Sequence, residues 1–222
     1  MGTTTLQKTK QMKPKKCKFC KCKFTPKVST TEVVCSYNCA IELSKIVVTK
    51  EREKQAKNKH KEMKEGLKTS EYYKKNLQDK INKLVKEIDE GCKCIAQDCK
   101  AVGNLDAGHF RAVGSGKGRS IRFHLLNIFG ECRHHNSFKG SKSDYYDGLI
   151  ETFGDDIFQV IHDLPTIWKE LKLDIEQLKQ ASKNVTECMK FVKAYKSDKI
   201  LPLSPGERIE LRKVCNSLIG IY

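Results

Sequence analysis

Two sets of closely spaced cysteines constrain this chain more than any other feature. The first reads Cys17-x2-Cys20 with Cys35-x3-Cys39, and the second reads Cys94-x4-Cys99 with Cys132-x2-His135. Soft ligands paired a few residues apart, two pairs to a set, are the arrangement of a structural tetrahedral zinc site. Two zinc ions are therefore expected. The rest of the sequence makes such pins useful. Of 222 residues, 38% are apolar and 32% charged, a balance that disfavours one large core and favours small metal-pinned modules joined by exposed helices. Eleven cysteines would also suit disulfides in a secreted protein. The N-terminal residues have no apolar signal core, however, and no later run is long enough to span a bilayer. A reducing cytoplasm is expected, with metal binding as the use of these thiols. Cys22 competes with Cys20, and Cys92 with Cys94, although a Cys-x-Cys pair chelates one ion poorly. Cys188 and Cys215 stand alone in apolar helical contexts and are expected to be ordinary buried residues.

The net charge is +16, spread from the N-terminus to about residue 140. Such a field attracts a polyanion, above all nucleic acid; with no run apolar enough to span a bilayer, no membrane is expected as a partner. Along the chain the expected order is a basic disordered arm (1–16), a zinc module (17–40), a lysine-rich helical segment (41–91), a compact unit carrying the chemistry (92–154) and a helical C-terminal region (155–222). The class is mainly helical α+β. Ser36 is placed to cap the helix that begins within the second cysteine pair. Beyond residue 48 that helix has almost no apolar stripe, so it is expected to stand exposed on propensity and i,i+4 pairs until Gly66 interrupts it. Tyr73, Leu77, Ile81, Leu84 and Ile88 then recur at spacings of three and four. This stripe is either a contact to the following domain or a short coiled coil, in which case the chain is a homodimer. Gly91 stops the helix. After residue 155, two to four amphipathic helices are expected with Pro165, Pro202 and Pro205 between them, and His162 on a helix surface.

Between the two ligand pairs of the second set lies "LDAGHF", and "HHN" closes the set. Consecutive helical residues point about 100° apart, so only one of His134 and His135 can share an ion with Cys132; the x2 spacing selects His135. A purely structural module has no need of Asp106, His109 and Asn136 in these places, whereas a metal-dependent nuclease does. Magnesium or manganese takes oxygen ligands, which Asp106 and Asn136 can supply. Attack of water on phosphorus needs a base, and a neutral imidazole at His109 suits that role near pH 7. Between the expected strands, "RAVGSGKGRSIR" is a glycine-rich loop whose Arg111, Lys117, Arg119 and Arg122 are expected along a DNA backbone.

The order of His109, Asn127 and Asn136 resembles the HNH, or ββα-metal, nucleases. The combination "CKFC", "VVCSYNC", "DAGHF", "RFHLLNIFGEC" and "HHNSFKGS" resembles, more closely, the phage NinG (Rap) recombination nucleases over residues 15–155. The chain departs from that pattern in having His135 where the last zinc ligand is usually cysteine, and x4 rather than x2 in the first pair of the second set. The resemblance implies cleavage of branched DNA such as Holliday junctions or D-loops. It makes His109 the general base, Asn127 the residue that orients it, and Asp106 with Asn136 the holders of magnesium or manganese. The competing expectation is a zinc-containing DNA- or RNA-binding protein without catalysis.

Overall fold

The computed structural model describes residues 12–139 and 142–222. The chain divides into two compact units, Met1–Leu67 and Lys68–Tyr222. Among the described residues no helix is long and apolar enough to cross a membrane.

In the first unit, strand β1 (Lys15–Lys16) pairs antiparallel with β2 (Lys23–Phe24). The tight turn between them holds Cys17 and Cys20: the Cys17 amide donates to the Cys22 carbonyl at 2.8 Å and the Lys21 amide to the Cys17 carbonyl at 3.0 Å. The hairpin therefore encloses the first cysteine pair and does not lie between the two pairs. It also takes in Lys15 and Lys16, which the sequence assigned to the disordered arm, because a turn carrying two ligands needs a strand on each side. Residues 1–11 of that expected arm lie outside the described residues. Glu32 closes the following loop, its carboxylate accepting from the amides of Lys27, Val28 and Ser29. Helix α1 (Tyr37–Gly66) starts where Ser36 Oγ accepts from the Cys39 amide at 3.2 Å. It runs for 30 residues without burying one, as its lack of an apolar stripe requires.

The second unit opens with α2 (Ser70–Ile88), capped by Thr69. Its stripe is buried within the chain against α6 (Ile175–Lys196), whose Leu178, Val185, Cys188 and Val192 share one core with it. Helix α7 (Pro205–Ile219) adds Leu211, Cys215 and Ile219. Of the two expectations for the stripe, contact with a later part of the chain is the one realised. Cys188 and Cys215 are both fully buried, as expected.

A two-stranded antiparallel sheet lies between this core and a second one. Strand β3 (Asp106–His109) pairs with β4 (Ile128–Glu131), aligning Asp106 with Glu131 and His109 with Ile128. Successive strand side chains leave opposite faces, so Ile128 joins the α2 core while Phe129 joins a second core with Tyr145, Leu149, Phe158 and Ile161. These last residues belong to α4 (Lys142–Phe153) and α5 (Asp155–Ile167). Pro165 does not end α5, which carries it in its last turn; His162 is exposed there. The connection from β3 to β4 is not a plain loop: it holds the short helix α3 (Gly116–Ser120) and a 3-10 turn at Leu125–Asn127.

A buried ion cluster ties these layers together. Asp89, just past α2, accepts from Arg212 of α7 at 2.6 Å and from the Gly130 amide of β4 at 2.7 Å, with Arg208 at 3.4 Å. The Arg212 guanidinium also lies over the Phe129 ring, 4.4 Å from its centroid.

Candidate metal centres and active-site cleft

Each expected ligand set is gathered in space. One donor atom from each of Cys17, Cys20, Cys35 and Cys39 lies within 4.8 Å of every other, and the same holds for Cys94, Cys99, Cys132 and His135. Four soft donors at mutual distances of this size are what a tetrahedral zinc ion takes. In the second set, His135 Nδ1 stands 3.1 Å from Cys132 Sγ and 3.8 Å from Cys94 Sγ. The Cys132 amide donates to Cys94 Sγ at 3.2 Å, which favours a thiolate there. Cys92 is outside the set. It is buried beside a hollow of about 460 Å³ that Cys94 and Cys99 also line, with Pro202 and Arg208, and burial pushes its thiol pKa up. Cys22 remains close to the first set, its sulfur 3.0 Å from Cys20 Sγ and 3.4 Å from Cys35 Sγ. His134 is exposed and meets the His135 ring edge-on, the centroids 5.2 Å apart.

The second cluster also anchors the neighbouring cleft. The Ile95 amide donates to the Gly130 carbonyl of β4 at 2.9 Å. Helix α4 presses on the same knuckle at Gly148, where any Cβ would run into the Ile95 carbonyl oxygen. After Cys132 the chain makes one π-type turn, His135–Lys139, which Ser137 breaks with an extended backbone (φ −87°, ψ 174°). Asn136 therefore sits on this turn and not on a helix continuing from the ligand. Its amide donates to the Cys132 carbonyl at 2.9 Å.

His109 and Asn136 line one cleft of about 280 Å³ together with Glu131, His135, Lys142 and Tyr145. His109 Nε2 lies 3.1 Å from the Arg122 carbonyl oxygen. A carbonyl only accepts, so Nε2 carries the proton and Nδ1 keeps its lone pair. Burial lowers the pKa of His109; the bond to Arg122 opposes this and the Arg122 charge adds to it. The ring is thus neutral near pH 7.

Asn127, fully buried, does not reach the ring by a hydrogen bond. Its Oδ1 accepts from the Arg111 amide at 2.8 Å, and its Nδ2 donates to the carbonyls of Arg111 and Ile121 at 3.2 and 3.4 Å. It thereby pins both ends of the connection whose Arg122 carbonyl holds His109. Asp106 is not among the cleft residues: its carboxylate pairs with Lys86 of α2 at 2.8 Å. The carboxylate that does line the cleft is Glu131, which the sequence reading passed over. It is 6% exposed, and burial pushes its pKa up to about 7, with His135 opposing the rise and Cys132 adding to it. The signal available in the sequence was a glutamate closing the otherwise apolar strand "IFGE".

None of the four expected cationic residues lines this cleft: Arg111 and Lys117 line an adjoining groove, and Arg119 and Arg122 line another hollow with Glu71 and Lys74. Arg111 and Arg122 stack on Phe110 and Phe123, 4.9 and 4.8 Å from the ring centroids, and both leave a buried Nε without a partner. Lys117 and Arg119 are exposed on α3. A second groove, lined by Arg111, Lys117 and Tyr146, adjoins the His109 cleft through Phe110, Ala112 and Lys142.

Fold and clusters define a mainly helical α+β protein with two four-ligand sets, each suited to zinc, and a histidine–asparagine cleft beside the second. Residues 9–195 match the family model described as "Bacteriophage Lambda NinG protein", and the chain belongs to that family. Among curated proteins it is similar to "Protein ninG" of Salmonella phage P22, 30% identical over 135 residues. The match covers 54% of this chain and 66% of the P22 protein, just short of two thirds of its length. No solved structure matches the chain.

Proposed function

We propose that this chain is a divalent-metal-dependent DNA endonuclease acting on branched recombination intermediates, a Holliday junction or a D-loop. The observation that carries the proposal is His109, a half-buried neutral imidazole with Nε2 committed to the Arg122 carbonyl, leaving Nδ1 as a base in a cleft lined by Asn136. In the reaction, His109 Nδ1 accepts a proton from water as the water oxygen bonds to phosphorus and the opposite phosphorus–oxygen bond breaks. Asn127 keeps the connection that supports the ring in shape and is a positioning residue. Asn136 offers an oxygen ligand for magnesium or manganese, and the bound ion would supply charge stabilisation at the phosphate and the leaving oxygen. Arg111, Lys117, Arg119 and Arg122 would hold the DNA backbone without reading its sequence.

The test is magnesium-dependent cutting of an end-labelled four-way junction, with plain duplex alongside. His109→Ala should slow cleavage by roughly 10²-fold or more while junction affinity stays near that of the wild type. Asn136→Ala should regain part of its activity as manganese is raised, and should keep both zinc ions. Cutting by His109→Ala at the wild-type rate would leave a zinc-bearing DNA- or RNA-binding protein without catalysis as the better account.

A further inference from the structure

We infer that Glu131, and not Asp106, is the carboxylate that holds the divalent cation in the His109–Asn136 cleft. The inference rests on the nuclease reading for its biological sense, but its observations are independent of that reading. Glu131 is 6% exposed and lines the cleft. Among the described residues its carboxylate has neither a hydrogen bond nor an ion pair. The other carboxylate buried this deeply, Asp89, is instead saturated by Arg212, Arg208 and the Gly130 amide. A largely buried side chain that brings an unpaired carboxylate to the wall of a cleft is a favourable place for a cation to complete it.

The space it occupies is also specific. A Cβ at Gly108 would run into Glu131 Oε2, so the residue next to His109 has to be glycine for this side chain to lie where it does. Tyr145, which lines the same cleft, holds the backbone at this point, its hydroxyl donating to the Gly108 carbonyl at 2.9 Å. Glycine before the base and glutamate on the paired strand together bring one carboxylate to the neighbourhood of His109. Asp106, by contrast, is held by Lys86, and its side chain is 40% exposed. With Asn136 as the second oxygen donor, this is a hard, oxygen-rich and partly open set that suits magnesium or manganese and leaves room for water and a phosphate oxygen.

The experiment is manganese titration of zinc-loaded, full-length protein, following the free-ion electron paramagnetic resonance signal, with zinc content and melting temperature measured on the same samples. Wild type should bind about one manganese ion per chain in a site of this kind. Glu131→Gln should weaken that binding by about tenfold or more while keeping both zinc ions, and Asp106→Asn should stay within about twofold of wild type, having lost no ligand. The inference is overturned by manganese binding in Glu131→Gln equal to wild type, by its loss in Asp106→Asn, or by a wild type that binds none. Loss of a zinc ion from Glu131→Gln overturns it too, because Glu131 would then be a support for His135. A wild type that binds manganese through Glu131 yet leaves the junction uncut removes the nuclease reading and keeps this one. Cutting that proceeds while Glu131→Gln binds manganese normally does the reverse.

Discussion

Three histidines of the second unit show how position alone divides one residue type among different tasks. His135 belongs to a zinc-type ligand set, His109 is the proposed base, and His124 is structural. His124 is 6% exposed, and burial lowers its pKa to about 4. Its Nδ1 accepts from the Leu126 amide at 3.3 Å and faces Asn216 Nδ2 at 3.4 Å, both of which protonation would disturb. The unfolded imidazole titrates near its ordinary value, about 6.5. Between that value and about 4 the unfolded chain therefore takes up a proton that the folded chain refuses. Stability is full above the unfolded value and falls as pH drops through this window, by roughly 1.4 kcal/mol for each unit of pKa separation. Urea midpoints at pH 7, 6 and 5 should decline in the wild type and decline less in His124→Asn, whose amide oxygen can still accept from Leu126. Parallel declines would assign the pH dependence to groups other than His124, such as His109 and the zinc ligands. His109, its pKa also lowered by burial, adds a slope of the same sign.

At the level of elements, α7 gives the C-terminal region a role that the cleft depends on. Arg212, with no exposure, joins α7 to Asp89 past α2 and to Phe129 on β4. The same aspartate fixes the Gly130 amide, one residue from Glu131. Removing one partner of such a cluster leaves uncompensated buried charge, so Asp89→Ala should cost about 3–5 kcal/mol in denaturant titration. Replacing both ends, Asp89→Leu with Arg212→Met, should cost clearly less than Asp89→Ala alone. An additive or larger loss in the double variant would mean that the helix depends on shape at this point more than on charge. Helix α4 acts on the cleft in a similar way, through Tyr145 on the Gly108 carbonyl and through Gly148 on the Ile95 carbonyl.

For the molecule as a whole, the division at Leu67 and Lys68 assigns one ligand set to each unit. Metal analysis of protein purified without added zinc should find about two ions per chain, since closed sets of four soft ligands bind tightly. Cys99→Ser should lose one ion and unfold the unit that carries the cleft, because structural zinc supplies folding free energy. A folded Cys99→Ser protein with both ions would remove Cys99 from the set. The charge of +16 has its own consequence. Affinity for DNA should fall steeply with salt, with a log–log slope reflecting several released counterions; affinity indifferent to salt would point to an acidic protein as the partner.

What the sequence by itself determined is whatever rests on short-range spacing. Cysteine pairs two to four residues apart are brought close by a single turn, so both ligand sets were legible, His135 included. The stripe from Tyr73 to Ile88 and the Ser36 cap follow from helical periodicity and from the geometry of a first turn. Tertiary structure decided the choices between near neighbours of the same chemistry. Cys92 and Cys94 are both cysteines at the start of one loop, and only the packing against β4 and α7 separates ligand from buried thiol. Asp106 and Glu131 are both carboxylates opposite one another on paired strands. Lys86 arrives from another helix to neutralise the first, while the missing side chain of Gly108 makes room for the second. Asn127, expected to orient His109, reaches the backbone around it and not the ring, because its reach is set by where Arg111 and Ile121 return to it. Spacing along the chain brings donors near each other, but which donor is left without a partner depends on contacts from elements far away in sequence.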